Sequence, residues 1–370
     1  MDGAKISLHQ LYFLIVQTQI GIGVLSLPFS VFNVSENDGW ISVLVAGVIV
    51  QIILLLIWKI DCWMNGRDLF VQCREIFGKY FGNFLKIVFL VYFLAIGTTI
   101  LILYSNIMKK WVFIFTPKIV IMGLLLLITI YLVDGGLTIL ARVYVLMTAL
   151  IIFLIILVSI GLKNAHYVYL LPIGVNGMTT ILKGSKECII AMLGFELIFL
   201  FLGPTQSSNR NKLKVLSLAN LTVTIIYSFI VFTATVFFSP DEIKLVPEPV
   251  LYMMKDFTFI VLERVDLLFL SIWIVVVATT FSSYLYAASQ ALKHLFLTSN
   301  HNSNKPYFVY IVGGIMLILA LLPESHLQID KISSYIGNMS LIFISFMTLL
   351  FFFSAMLVRK KLGGRDEKLS

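Results

Sequence analysis

Glu196 is the residue with the most chemical content in this sequence. In "AMLGFELIFLFLGP" it is the one carboxylate deep in an apolar run, two positions after Gly194 and next to Phe195. A charged side chain at the centre of a bilayer costs at least about 2.5–3.5 kcal/mol, and it usually persists for function or for pairing. Glu196 can be protonated at rest, face a substrate ammonium, carry a proton through a conformational cycle, or accept a structural hydrogen bond from a neighbouring helix. A second stretch, "QTQIGIGVLSLPF" from Gln17 to Phe29, sets Gly21, Ile22, Gly23 and Pro28 inside another long apolar run. A glycine costs about 1 kcal/mol relative to alanine inside a helix, and proline removes a backbone donor. In lipid, freed backbone groups are tolerated only where protein, water or a ligand satisfies them, so a break at mid-membrane usually lines a cavity. Amides after such a break can hold a carboxylate and carbonyls before it a cation, which suits a zwitterion. Close approach of packed helices is the other use of such glycines. In a third stretch, "VVVATTFSSYLYAASQ", Thr280 and Tyr284 stand four residues apart on one helix face, and so do Ser282 and Tyr286. These hydroxyls serve either a cavity or bonds between helices. Tyr92 and Ile96 have the same spacing.

Other chemistries are not supported. The Gly-Ile-Gly lacks a third glycine at the required offset, a preceding strand and a distal acid, so it is no dinucleotide loop. His9, His166, His294, His301 and His326 have neither metal-ligand nor nucleophile-base spacing, and Cys62, Cys73 and Cys188 lie too far apart for a Cys-x-x-Cys site. No catalytic residue, metal ligand or cofactor site is therefore expected, and the chain is not read as an enzyme.

The elements that must position these residues are membrane helices. Hydrophobic residues make up 59% of the 370 and charged residues only 12%, a composition incompatible with a hydrated surface. A membrane helix takes roughly 20 apolar residues, and segments of that size fall near 7–32, 39–60, 84–108, 118–133, 141–162, 179–203, 214–238, 264–291, 307–323 and 334–358. The first and the sixth carry the interruptions described above. Apolar runs recur to the end of the chain, so a cleaved secretory signal is not expected. The net charge of +8 comes from basic residues between apolar segments and at the tail, which fits membrane topology and not nucleic-acid binding. With the N-terminus inside, most of the 27 lysines and arginines fall on the cytoplasmic side, among them Lys59, Arg67, Arg74, Lys79, Lys86, Arg210, Lys212, Lys214, Lys305 and Lys368. Both termini are expected in the cytoplasm. The segment 65–82 reads as an amphipathic helix on the inner surface or as a solvated loop. On the outer side, 239–256 has three prolines and then "VLYMMKDF", which suggests a structured loop with a short interfacial helix, either a lid, a docking surface or a connector. Glu263, Arg264 and Asp266 are expected to form an ion-pair cluster at headgroup level, as an anchor or a gate.

With ten spans, "GIGVLSLP" in the first, "GFELIFLFLGP" in the sixth and "ERVDLLFLSIWIV" opening the eighth, the chain resembles the GerAB-like B subunits of bacterial spore germinant receptors over essentially its whole length. That family belongs to the amino acid, polyamine and organocation transporter superfamily. The resemblance implies an all-α polytopic fold with a five-plus-five inverted repeat, approximately 7–162 and 179–358, in a single transmembrane domain over 1–370. It implies a place in the inner membrane of the spore beside an A subunit and a lipoprotein C subunit, and detection of a small germinant such as an amino acid. By position, Gly21, Ile22 and Gly23 match the family's first unwound segment and Gly194, Phe195 and Glu196 the second. The stretch 279–286 falls where relatives of the fold place ligand or ion contacts. One position departs: many amino-acid permeases have a hydroxyl residue between the first-span glycines, where this chain has Ile22, which weakens the case for sodium coupling. The expected site therefore lies between the first, third, sixth and eighth spans, with a secondary amino-acid transporter and a structural scaffold as the competing functions.

Overall fold

Hydrocarbon offers no partner to a free N–H or C=O, so the apolar segments must close their hydrogen bonds internally, and they do so as helices. A computed structural model of the chain describes residues 5–175, 177–257, 263–296 and 307–366. In chain order the helices are α1 Leu8–Gln19, α2 Gly23–Ser35, α3 Gly39–Trp63, α4 Leu69–Trp111, α5 Lys118–Asp134, α6 Gly136–Ser159 and α7 Gly177–Ala191. They continue with α8 Ile198–Phe201, α9 Asn209–Phe237, α10 Pro240–Ile243, α11 Pro249–Lys255, α12 Val265–Phe296, α13 Tyr307–Leu321 and α14 His326–Asp366. Among the described residues there is no strand, only a lone bridge between Ile6 and Thr205. Lys305 and Lys368, used above for topology, and His301 lie outside the described residues.

Among the described residues, six stretches are long and apolar enough to cross a bilayer by length and composition, Gly23–Trp63 among them as a single one. The chain reverses inside that stretch. Ser42 Oγ donates to Ser35 Oγ at 3.0 Å, although seven residues of straight helix span about 10 Å. Glu36, at φ 47°, and the 3-10 turn Glu36–Asp38 make the corner between α2 and α3. The other expected spans are short, as in α5 and α13, or broken, as in α1 with α2 and α7 with α8. All ten expected segments are thus helical, four of them in a form that a length criterion misses. α14 is longer than expected and starts at His326.

The segment 65–82 is helical from Leu69, where the Asp68 carboxylate accepts the Phe70 N–H at 2.8 Å. The helix is interrupted at Gly78 (φ 80°) before the membrane part of α4 begins. Its first turns are amphipathic: Leu69, Phe70, Gln72 and Cys73 are buried while Arg74 and Glu75 are exposed. The loop 239–256, expected on the outer side, is docked and not free. Ser239 and Glu242 form a capping box on α10, and Val250, Leu251, Met253 and Met254 of α11 are buried against the bundle. Of the expected outer cluster, Arg264 pairs with Asp266 (Nη2 to Oδ2 2.8 Å).

The distribution of apolar residues follows from lipid acting as solvent. Leu127, Ile128 and Tyr131 are exposed on α5, while Trp273, Tyr144, Tyr227 and Tyr284 are among the largest fully buried side chains. α1 packs on α9, α6 and α12, α2 on α7, α3 on α9 and α7, and α4 on α12 and α13. At the end that carries the start of α1, Ile6 and the segment after α8 exchange backbone hydrogen bonds: Ile6 N–H to Pro204 O and Gln206 N–H to Ile6 O, both 3.2 Å. Beside them Lys212 Nζ reaches Asp61 Oδ2 at 3.0 Å and Leu202 O at 2.9 Å. Both charged side chains are 5% exposed, so this end is closed by a buried ion pair.

Candidate functional site

The two interruptions lie side by side. α1 ends at Gln19, Ile20 is extended (φ −91°, ψ 99°), and α2 restarts at Gly23 without a side-chain cap. In the sixth span α7 ends at Ala191, Gly194 takes φ 124°, and the 3-10 turn Phe195–Leu197 leads into α8. A Cβ on Gly194 would stand 2.7 Å from the Thr18 carbonyl oxygen, so both its backbone angle and its neighbour demand glycine. A Cβ on Gly23 would meet the Ala191 backbone at 2.8 Å. The glycines therefore serve both readings at once, since they break the helices and bring the broken ends into contact.

Freed carbonyls at the breaks are held by hydroxyls. Tyr227 OH, from the middle of α9, lies 3.0 Å from Gln19 O and 2.9 Å from Ala191 O. One hydroxyl proton is thus shared between the last carbonyls of α1 and α7. Thr280 Oγ1 lies within hydrogen-bond distance of Gln17 O (3.2 Å), Ile20 O (3.3 Å) and Val276 O (3.2 Å), with one proton to donate among them. Around them, Thr279 Oγ1 donates to Gln17 Oε1 (2.9 Å), Thr18 Oγ1 and Ser283 Oγ lie 2.8 Å apart, and Tyr144 OH bonds Ser283 Oγ and the Thr279 carbonyl. At the start of α2 the Val24 and Leu25 amides donate back to Gly21 O (3.5 Å) and Ile22 O (3.3 Å), and the amides around this start carry the positive end of the helix dipole.

Glu196 is buried and accepts three hydrogen bonds: from Tyr92 OH (2.9 Å) and Tyr284 OH (2.6 Å) on Oε1, and from the Gly194 N–H (2.8 Å) on Oε2. Tyr92 in turn stacks on Phe343 at 4.1 Å. The carboxylate ties α4 and α12 to the second break, and among the described residues no cationic side chain pairs with it. Of the four roles open from the sequence, this geometry matches the structural hydrogen bond most closely. It also fixes the Gly194 turn against which Thr18 packs.

Beside the breaks lies a cavity of about 410 Å³. Gly21, Ile22, Gly23, Ile96, Thr280 and Tyr284 line it. Tyr92, Gly194, Phe195 and Glu196 do not; they form the packed layer behind, with Phe195 fully buried. Ser282 and Tyr286 are buried away from it, because two residues along a helix turn the side chain by about 200° from the Thr280 and Tyr284 face. Ser282 Oγ has no partner among the described residues.

The structure adds cavity residues that the motifs did not single out. Gln19 is fully buried and lines the cavity, yet its Nε2 and Oε1 both lack partners among the described residues. An unsatisfied buried polar group costs about 1–3 kcal/mol, so this amide is a local cost beside the first break. Glu187, Glu248 and Asp330 also line it, from α7, the outer loop and α14. Gln19 had a signal in the polar "QTQ" before the glycines. Tyr227 had none, being a single tyrosine in an apolar span.

The sequence profile of the spore permease family, described as "Spore germination protein", matches residues 5–329. The chain is 26% identical to spore germination protein GerQB of Bacillus cereus over 92% of each chain. It is 26% identical to spore germination protein YndE of Bacillus subtilis (strain 168) over 99% of each, and 27% identical to spore germination protein A2 of the same strain over 96% of this chain and 97% of that one. Among solved structures, a Na+-coupled sialic acid symporter in a substrate-bound outward-open state superposes with a TM-score of 0.64 at 13% identity, covering 91% of this chain and 77% of the other. At that identity the likeness concerns the fold.

Proposed function

This chain belongs to the spore permease family of spore germination proteins, and on that premise we propose that it is the membrane subunit of a nutrient germinant receptor whose ligand, a small amino acid, lodges between the two helix breaks. The carrying observation is the Tyr227 hydroxyl shared by Gln19 O and Ala191 O at the edge of the 410 Å³ cavity. A ligand ammonium that takes up one of those carbonyls leaves Tyr227 to the other, while the carboxylate meets the amides of Gly21, Ile22 and Gly23 at the first break. Ligand occupancy and the relative position of α1 and α7 are then one equilibrium. A ligand moves such an equilibrium only through its differential affinity, and a shift from 1:99 to 99:1 takes about 5.5 kcal/mol. We read the halves 7–162 and 179–358 as inverted repeats, since five crossings leave the second half starting from the opposite face. On this reading both termini are cytoplasmic, the ion-paired end of α3 and α9 faces inward, and partner A and lipoprotein C subunits read the change.

Tyr227→Phe tests the carrying observation. It removes the donor that both carbonyls share, so that one stays unpaired even when the ammonium takes the other, and is expected to shift the germinant dose-response about tenfold toward higher concentration. A dose-response identical to wild type at equal protein level would rule out the shared-hydroxyl coupling.

A secondary transporter is the second reading, favoured by the fold likeness to a symporter. Against sodium coupling stands the apolar side chain of Ile22 between the glycines. Proteoliposomes containing this chain alone are expected to show no sodium-driven accumulation of labelled amino acid, although ligand binding persists without sodium. Accumulation against a gradient would make the chain a transporter.

A further inference from the structure

A second hollow, of about 270 Å³, lies between α3, α7 and α14, away from the cavity at the breaks. Its wall is apolar: Ile49 and Ile53 of α3, Leu182 and Ile189 of α7, and Leu341 and Ile344 of α14. Ile52, Leu182 and Ile342 are exposed at its rims, so it opens toward lipid and not toward the bundle interior. On α7 the lining positions are 182, 186 and 189, a strip about 10 Å long on one helix face. The hollow is therefore a groove running along the helix.

Lys186 stands in this groove, and no acidic side chain lines it. The lysine is exposed and has no ion-pair partner among the described residues. Glu187, next in sequence, is turned about 100° away and lines the other cavity. Lysines within membrane spans ordinarily face the bundle interior or pair with a protein group. Lys186 does neither, although α7 runs on for only about 7.5 Å before it ends at Ala191. Its Cα–Cβ bond tilts toward the start of α7, and its flexible stem carries the ammonium along the groove toward the headgroup layer. Lys183, one turn nearer that layer, is also exposed. An apolar groove with an unpaired cation at its headgroup side matches the two parts of one molecule, an acyl chain and a phosphate, and basic pockets between membrane helices are recurrent headgroup sites.

We propose that the groove between α3, α7 and α14 binds an anionic phospholipid, its acyl chain against Ile53, Ile189 and Leu341 and its phosphate on Lys186. Ile189 and Phe195, which stand on either side of Gly194, also line the groove, so the bound lipid braces the second break from the lipid side. The site does not depend on which ligand the cavity at the breaks receives.

The test is native mass spectrometry of the full chain, released from detergent micelles that contain equal amounts of phosphatidylglycerol and phosphatidylcholine with the same acyl chains. The chain is expected to retain phosphatidylglycerol about tenfold more than phosphatidylcholine. In Lys186→Gln the ratio is expected to fall to near unity, and Lys186→Arg is expected to keep it. Leu341→Trp, which fills the groove and leaves the charge in place, is expected to lower retention of phosphatidylglycerol. Excess inorganic phosphate is expected not to displace the lipid; displacement would reduce the site to a phosphate contact and overturn the acyl-chain assignment. Equal retention of the two lipids by the wild-type chain, the result expected if a protein helix with its own carboxylate occupies the groove, would overturn the proposal. So would a ratio unchanged in Lys186→Gln, or wild-type retention in Leu341→Trp.

Discussion

Replacing Gly23 with alanine is expected to raise the germinant concentration for half-maximal response by about 10- to 100-fold, with the protein still present in the membrane. The added Cβ would stand 2.8 Å from Ala191 Cα and Cβ and 2.9 Å from Ala191 O. Those atoms belong to a helix end and cannot rotate away as a side chain tip would. The start of α2 must therefore move off α7, and overpacking of this kind costs about 1–3 kcal/mol. The cost falls on the contact that defines the site. Ala191 O is also an acceptor of the Tyr227 hydroxyl, so the shift opens the shared hydrogen bond and displaces the α2 amides from the ligand carboxylate. Spores carrying the variant as their sole receptor subunit of this type provide the measurement. A wild-type dose-response would mean that the contact between the two breaks has no part in sensing.

The second large effect concerns the opposite end of the bundle. Asp61→Asn leaves the Lys212 ammonium buried with the Leu202 carbonyl and no counter-charge. Removing one partner of a buried ion pair typically costs about 3–5 kcal/mol, whereas replacing both by apolar residues is often close to neutral. The single variant is therefore expected to lose most of its thermal stability in detergent, and Asp61→Leu combined with Lys212→Met is expected to recover it. Because Lys212 also holds the carbonyl of Leu202, just past α8, the same pair fixes the C-terminal end of the broken sixth span. A single variant as stable as wild type would show that water reaches the pair, so that this end is not closed.

Much of this arrangement was legible in the sequence, for reasons that can be stated. Gly21, Gly23 and Gly194 were visible because a break inside an apolar run has a cost that local sequence cannot hide, and Glu196 because a carboxylate there is expensive. The ten helical segments followed from hydrophobicity alone. What hydrophobicity does not encode is rotation about a helix axis. Thr280 and Tyr284 reach the cavity and Ser282 and Tyr286 do not, yet both pairs satisfy the same spacing rule, and only the packing of α12 on α4 and α1 selects between them. Tyr227 was invisible for a related reason: an isolated hydroxyl in an apolar helix has no pattern, and its meaning comes from two carbonyls far away in sequence. Glu196 shows the reverse case. Its importance was readable, but its partners Tyr92 and Tyr284, on two other helices, were not.

The central claim is that backbone amides at the first break receive the ligand carboxylate. Amide hydrogen exchange of the purified chain, followed at Gly21, Ile22 and Gly23 with and without a saturating amino acid germinant, measures this directly. Slowed exchange at these positions, absent in Gly23→Ala, is the expected result. Exchange at the three amides that does not change while the germinant demonstrably binds would contradict the claim and place the ligand elsewhere.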